Sequence, residues 1–99
     1  MNIQIHSLKF DADKKLLDFV TQKLNKLSLV SDDIVSAEVV MKLDHDETRE
    51  NKITEIKIEY PRGPLFARKQ SKTFEEATDL VVAALKRQIV KQKAKMRGE

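Results

Sequence analysis

Residues 2–8 alternate, with Ile3 and Ile5 on one side and Gln4 and His6 on the other. That is the period-two pattern of a strand resting one face on a core. A helical period follows. Asp13 can cap it, Leu16, Leu17, Val20, Leu24 and Leu27 recur at helical spacing, and Ser31-Asp32-Asp33 ends a helix predicted to reach about Leu29. Val35, Ala37, Val39, Met41 and Leu43 then alternate with Ser36, Glu38, Val40 and Lys42, the clearest strand in the chain. The polar stretch 44–51 predicts an exposed hairpin loop. Ile56, Ile58 and Tyr60 set the inward phase of a third strand, with Lys57 and Glu59 outward. Val40 and Ile53 fall out of phase with the inward set and are expected on an exposed sheet face. Pro61-Arg62-Gly63-Pro64 is a turn, and 65–69 a short fourth strand. Thr73 and Glu76 have the spacing of a capping box. Leu80, Val81, Ala84, Leu85 and Ile89 give the second helix its stripe, and nothing stops that helix before Gly98.

The predicted order is therefore β-α-β-β-β-α, an α+β domain with a four-stranded mixed sheet. The first two strands flank a helix, which makes them parallel through a right-handed crossover. The later strands are joined by hairpins and run antiparallel. Each helix must bury an apolar stripe, so both are expected on one face of the sheet.

Length and composition narrow the class. The chain has 99 residues, the size of one domain, with 40% hydrophobic and 35% charged positions. It has no cysteine, which excludes disulfides and thiolate metal sites. No apolar run approaches the roughly 18 residues of a bilayer span. The N-terminus lacks the basic and apolar regions of a secretory signal, so a cytoplasmic location is expected.

Enzyme chemistry finds little to work with. Glycine occurs only at 63 and 98, too sparse for a phosphate loop or for the anion loop of the similarly sized acylphosphatases. Neither His6 nor His45 has an evident nucleophile to serve. Asp44-His45-Asp46-Glu47 is superficially like a metal site, but adjacent loop residues rarely converge on one ion, and an acidic solvated loop is expected. Tyr60 is in phase with the core and is expected to pack there; with 5% aromatics, Phe66 and Tyr60 give poor support for a base-stacking platform. The expectation is no catalysis, no metal and no cofactor.

Charge is more informative. Residues 1–50 carry seven Lys/Arg and ten Asp/Glu, whereas residues 51–99 carry twelve and six. Lys86, Arg87, Lys91, Lys93, Lys95 and Arg97 fall within twelve positions that hold no acid. Such a block repels itself unless an anion is present. On the first helix Lys15, Gln22 and Lys26 share a flank and Lys23 lies beside the buried stripe. Lys86, Lys93 and Arg97 form one line on the second helix and Arg87 and Lys91 another. Side-by-side helices are expected to merge these into one surface suited to phosphates of structured RNA. A membrane partner is not expected, because the second helix lacks a Trp/Phe-rich apolar face.

The residues quoted so far, in order, resemble the ribosome hibernation promoting factors, also called ribosome-associated inhibitors. The likeness runs through Asn2-Ile3-Gln4-Ile5, Phe19-Val20 and Lys23-Leu24-Asn25-Lys26-Leu27. It is strongest in Phe74-Glu75-Glu76-Ala77-Thr78-Asp79-Leu80, in Leu85-Lys86-Arg87-Gln88-Ile89, and in Lys91, Lys93 and Lys95. It implies a βαβββα layout like that of double-stranded-RNA-binding domains. It implies binding to small-subunit rRNA in the channel of mRNA and tRNA, holding ribosomes idle under stress or in stationary phase. The matching basic positions are Lys23, Lys26, Arg87, Lys91 and Lys95, to which the helical geometry adds Lys86 and Lys93. The chain resembles the short form, one ribosome-binding domain over 1–99, expected to be a monomer off the ribosome. It departs from the pattern at Glu75, where many members have Tyr, and at Asp13, where Thr is frequent. The alternatives on the same basic surface are a general double-stranded-RNA binder and a module that docks an acidic protein.

Overall fold

The structure is a computed structural model that describes residues 1–45 and 49–96, the side chain of Met96 excepted. Asp46 and Glu47 of the predicted loop, Arg97 and the stop at Gly98 lie outside the described residues.

The elements are β1 (Asn2–Leu8), α1 (Lys14–Ser28), β2 (Ser36–Leu43), β3 (Lys52–Glu59), β4 (Leu65–Ser71) and α2 (Phe74–Met96). The sheet order is β1-β2-β3-β4. β1 runs parallel to β2, while β2–β3 and β3–β4 are antiparallel. One core cluster joins the inward residues of all four strands to both helices. This is the α+β, βαβββα architecture that the periodicity predicts, with both helices on one face.

Local chemistry fixes the element ends. The Asp13 carboxylate accepts from the Leu16 N–H at 2.9 Å, so α1 starts on a capped turn. The Thr73 hydroxyl accepts from the Glu76 N–H at 3.0 Å and starts α2. Before β4 the chain reverses through a turn closed by the Gly63 N–H on the Tyr60 carbonyl at 3.0 Å. Gly63 sits at φ +117°, a region that side chains with a Cβ rarely enter. The Phe10 and Phe74 rings stack at 4.4 Å and pin the β1–α1 loop to the start of α2.

Three expectations about burial need correcting. Leu80 is 44% exposed. The buried line of α2 is Phe74, Ala77, Thr78, Val81, Leu85 and Ile89, and Leu80 lies roughly 120° around the helix from its centre. Val35 is 55% exposed although its N–H donates to the Glu59 carbonyl and its carbonyl accepts from the Asn2 N–H; it stands at the open end of the sheet, and Ile34 takes the core position from the preceding turn. Ile53 is not exposed on the outer sheet face; it is 2% accessible. Its cross-strand neighbours there are Lys42 and Gln70. The Lys42 ammonium reaches to Glu55, and the Gln70 amide to Asp44 and the Glu50 carbonyl, so their aliphatic stems lie over Ile53. Val40, its expected companion, is half-buried.

Two buried polar pairs explain why hydroxyls sit in this core. Tyr60, inward as its phase predicts, places its hydroxyl 3.2 Å from that of Ser31, closing the α1–β2 turn onto the sheet. The Thr54 and Thr78 hydroxyls meet at 3.4 Å between β3 and α2, and both side chains are fully buried. Pairing spares each the cost of an unmade bond.

Candidate nucleic-acid interface

The cations of α2 are distributed by helical phase around a buried line that ends on Leu85 and Ile89. Lys86 falls on the side facing α1. There Lys23, Lys26, Leu27 and Val30 of the α1 end join Asp79, Val82, Ala83 and Lys86 around a groove of about 240 Å³. Lys91 and Lys95 fall on the other side. With Gln88, Gln92 and Leu65 they line a second groove, of about 160 Å³, between α2 and β4. Arg87 is exposed on the back of the helix between the two. The predicted single basic surface is thus two basic grooves flanking one helix.

Two of the seven candidate cations are already engaged. The Lys23 ammonium pairs with the Asp79 carboxylate at 2.9 Å and lies 5.3 Å from the Phe19 ring centre. It therefore ties α1 to α2 as well as lining the groove. Lys93 donates to the carbonyl of Val30, just beyond the last turn of α1. A cation there meets the partial negative charge of a helix C-terminus. Lys93 straps α1 to α2, so its charge is partly spent within the fold. Lys26, Lys86, Arg87, Lys91 and Lys95 make no ion pair among the described residues.

Among the described residues, no group of three His, Asp or Glu side chains is placed to hold a metal ion. His6 is exposed on the outer sheet face, and the His45 ring lies 3.2 Å from the Lys9 ammonium at the far end of β1. Among the described residues, no helix is long and apolar enough to cross a membrane. What the geometry does offer is fixed positive charge on a rigid scaffold, the property that meets phosphate oxygens without reading sequence.

Fold and charge together define a small α+β domain of the helices-on-one-face kind, with its cations gathered around the second helix. The sequence profile of the family described as Sigma 54 modulation protein / S30EA ribosomal protein matches residues 3–97. The chain belongs to this family, whose description ties it to the ribosome, and the resemblance read from the sequence holds at that level. Solved structures share the fold. A ribosomal subunit interface protein from Coxiella burnetii superposes with a TM-score of 0.85 at 22% identity, over 95% of this chain and 99% of that one. The N-terminal domain of Protein Y from Thermus thermophilus does so with a TM-score of 0.78 at 24% identity, over 90% and 96%. A comparison with curated protein sequences gives no match.

Proposed function

We propose that this chain is a translation inhibitor of the cytoplasm that occupies the small ribosomal subunit and keeps ribosomes idle under stress or in stationary phase. It works by occupancy and catalyses nothing. The contact is to rRNA backbone through Lys26, Lys86, Arg87, Lys91 and Lys95, with Lys23 contributing from its ion pair and Lys93 mainly holding the helices together. The domain over 1–99 acts as one ribosome-binding unit and is a monomer off the ribosome.

The observation that carries this reading is the pair of basic grooves on either side of α2, five of whose surrounding cations have no acidic partner among the described residues. Membership of a family described as ribosomal supports reading that anion as rRNA. Backbone contacts suit folded or A-form RNA, whose deep major groove hides its bases from side chains.

Co-sedimentation with separated subunits over a salt series tests it. The chain is expected to follow the small subunit at low salt. With on the order of five neutralised phosphates, affinity should fall roughly a hundredfold or more between about 50 and 200 mM salt. Equal affinity for an arbitrary RNA duplex at matched salt would replace the ribosome by double-stranded RNA in general. A chain that stays at the top of the gradient at low salt would sink both and leave an acidic protein partner.

A further inference from the structure

The positive charge does not stop at α2. Between Glu59 and Glu75 the sequence holds no acid and four cations, Arg62, Arg68, Lys69 and Lys72. Three of these lie on β4 or directly after it, and β4 is an edge strand of the sheet. The groove lined by Lys91 and Lys95 opens onto this same edge at Leu65. Gln88 of α2 joins the two parts, its Nε2–H donating to the Phe66 carbonyl at 3.0 Å. Helix and edge strand are therefore in contact, and their cations follow one edge of the sheet, Arg68 on the outer face with Phe66 and Lys69 on the helix side with Lys91 and Lys95.

That rim carries an aromatic ring that lies outside the core cluster. Phe66 is 53% exposed, on the sheet face away from the helices, and is the one exposed aromatic among the described residues. Its cross-strand neighbour is Lys57, and Arg68 stands two residues along on the same face. The Arg68 Nε lies 3.1 Å from Glu55, which also pairs with Lys42, so that carboxylate is already neutralised from two sides. Lys57, Lys69 and Lys72 are in no ion pair among the described residues. The other acids of this face, Glu38 and Glu59, lie with Lys57 around a depression beside Ser36 and Tyr60, on the β2 side of Phe66.

Charge and edge chemistry decide what this rim suits. A peptide adding a strand to β4 needs free edge carbonyls, and the one at Phe66 is held by Gln88. Three cations along the edge oppose a neighbouring strand further. A protein interface would ask for an apolar centre larger than a single ring. A single exposed ring among cations is instead the arrangement that holds an unpaired nucleotide: the base stacks and the phosphates meet lysine and arginine.

We propose that the β4 rim is a second RNA contact, in which an unpaired base stacks on Phe66 while its strand runs along Arg68, Lys69 and Lys72 and onto Lys91 and Lys95. This rests on the reading of the helical grooves as an rRNA surface and extends it. The helices hold the backbone of folded RNA; the rim holds a single-stranded segment beside it.

Two measurements on the full chain test it. In the first, p-azidophenylalanine replaces Phe66, the chain is bound to purified small subunits, and the complex is irradiated. An adduct to rRNA is expected; an adduct to ribosomal protein alone, or none, overturns the proposal. In the second, Phe66→Ala and Phe66→Tyr are titrated with a fluorescein-labelled unstructured oligoribonucleotide at fixed salt. The alanine variant should bind roughly ten- to a hundredfold more weakly, and the tyrosine variant like the parent. Equal binding by the alanine variant overturns the proposal, and a thermal melt of each variant shows that the domain is folded. The two readings fail separately. If the parent does not sediment with small subunits, the ribosomal reading falls while the oligonucleotide titration still decides the rim. If the parent sediments but position 66 neither crosslinks to RNA nor affects the titration, only the rim falls.

Discussion

Arg87→Glu combined with Lys91→Glu is expected to release the chain from the small subunit. At about 0.1 M salt each neutralised phosphate contributes roughly 1 kcal/mol through counterion release, so removing two such cations weakens binding by a factor on the order of fifty. The two new carboxylates then face phosphates, which carries the effect past about a hundredfold. The salt dependence should also flatten, by roughly one unit of slope for each phosphate left unneutralised. Both side chains are exposed, and neither makes an ion pair among the described residues. Stability should therefore stay within about 0.5 kcal/mol of the parent, as is usual for surface positions. Co-sedimentation at several salt concentrations, alongside a thermal melt, reads both quantities. A folded double variant that still sediments with the parent's salt slope would remove these residues from the interface.

Leu85→Ala should have the largest effect on stability. Leu85 is fully buried in the line that α2 lays on the sheet, within the core cluster that also holds Leu24, Ile56 and Ile89. Removing its branched end forfeits the transfer free energy of three carbons and leaves a cavity that rigid neighbours fill only in part. The expected cost is about 2–5 kcal/mol, against a total of roughly 5–15 kcal/mol for a domain of this kind. In a domain of this size the melting temperature should drop on the order of 20 °C. Denaturant titration should show a lower midpoint with an unchanged slope, the mark of a less stable native state and not of a looser one. A destabilisation under about 1 kcal/mol would mean that α2 is not anchored as described.

The elements are legible because each declares its period. Ile3 and Ile5, then Ala37, Val39 and Met41, then Ile56 and Ile58 repeat every second residue; Val20, Leu24 and Leu27 follow the helical turn. Counting apolar residues without phase places Leu80 in the stripe, although at about 100° per residue it stands roughly 140° from Leu85 and 180° from Ile89, which already excludes it. Ile53 cannot be placed by phase alone, since its cover comes from the stems of polar neighbours. The basic residues are visible as charges. Their division into two grooves depends on which flank of α2 receives α1, and no local pattern encodes that. The ties from Lys23 to Asp79 and from Lys93 to Val30 join residues remote in sequence, so neither leaves a periodic trace. The basic rim at β4 does leave a signal, the acid-free run between Glu59 and Glu75, but its four cations are spread more thinly than those of α2.

The parallel pairing of β1 has a consequence for the order in which the domain opens. β1 meets β2 in the register Asn2↔Ser36, so its ladder closes only after the whole α1 crossover is in place. The β2–β3 and β3–β4 ladders close across short hairpins and demand far less chain entropy. β1 is also an outer strand whose inward Ile3 and Ile5 are only partly buried. It is thus the strand that frays first, and its amides should exchange with solvent sooner than those of β3. The unzipping edge and the edge that carries Arg68 and Lys69 lie on opposite sides of the sheet. Breathing at the N-terminal strand can then proceed while the basic helix and the rim beside it stay in register.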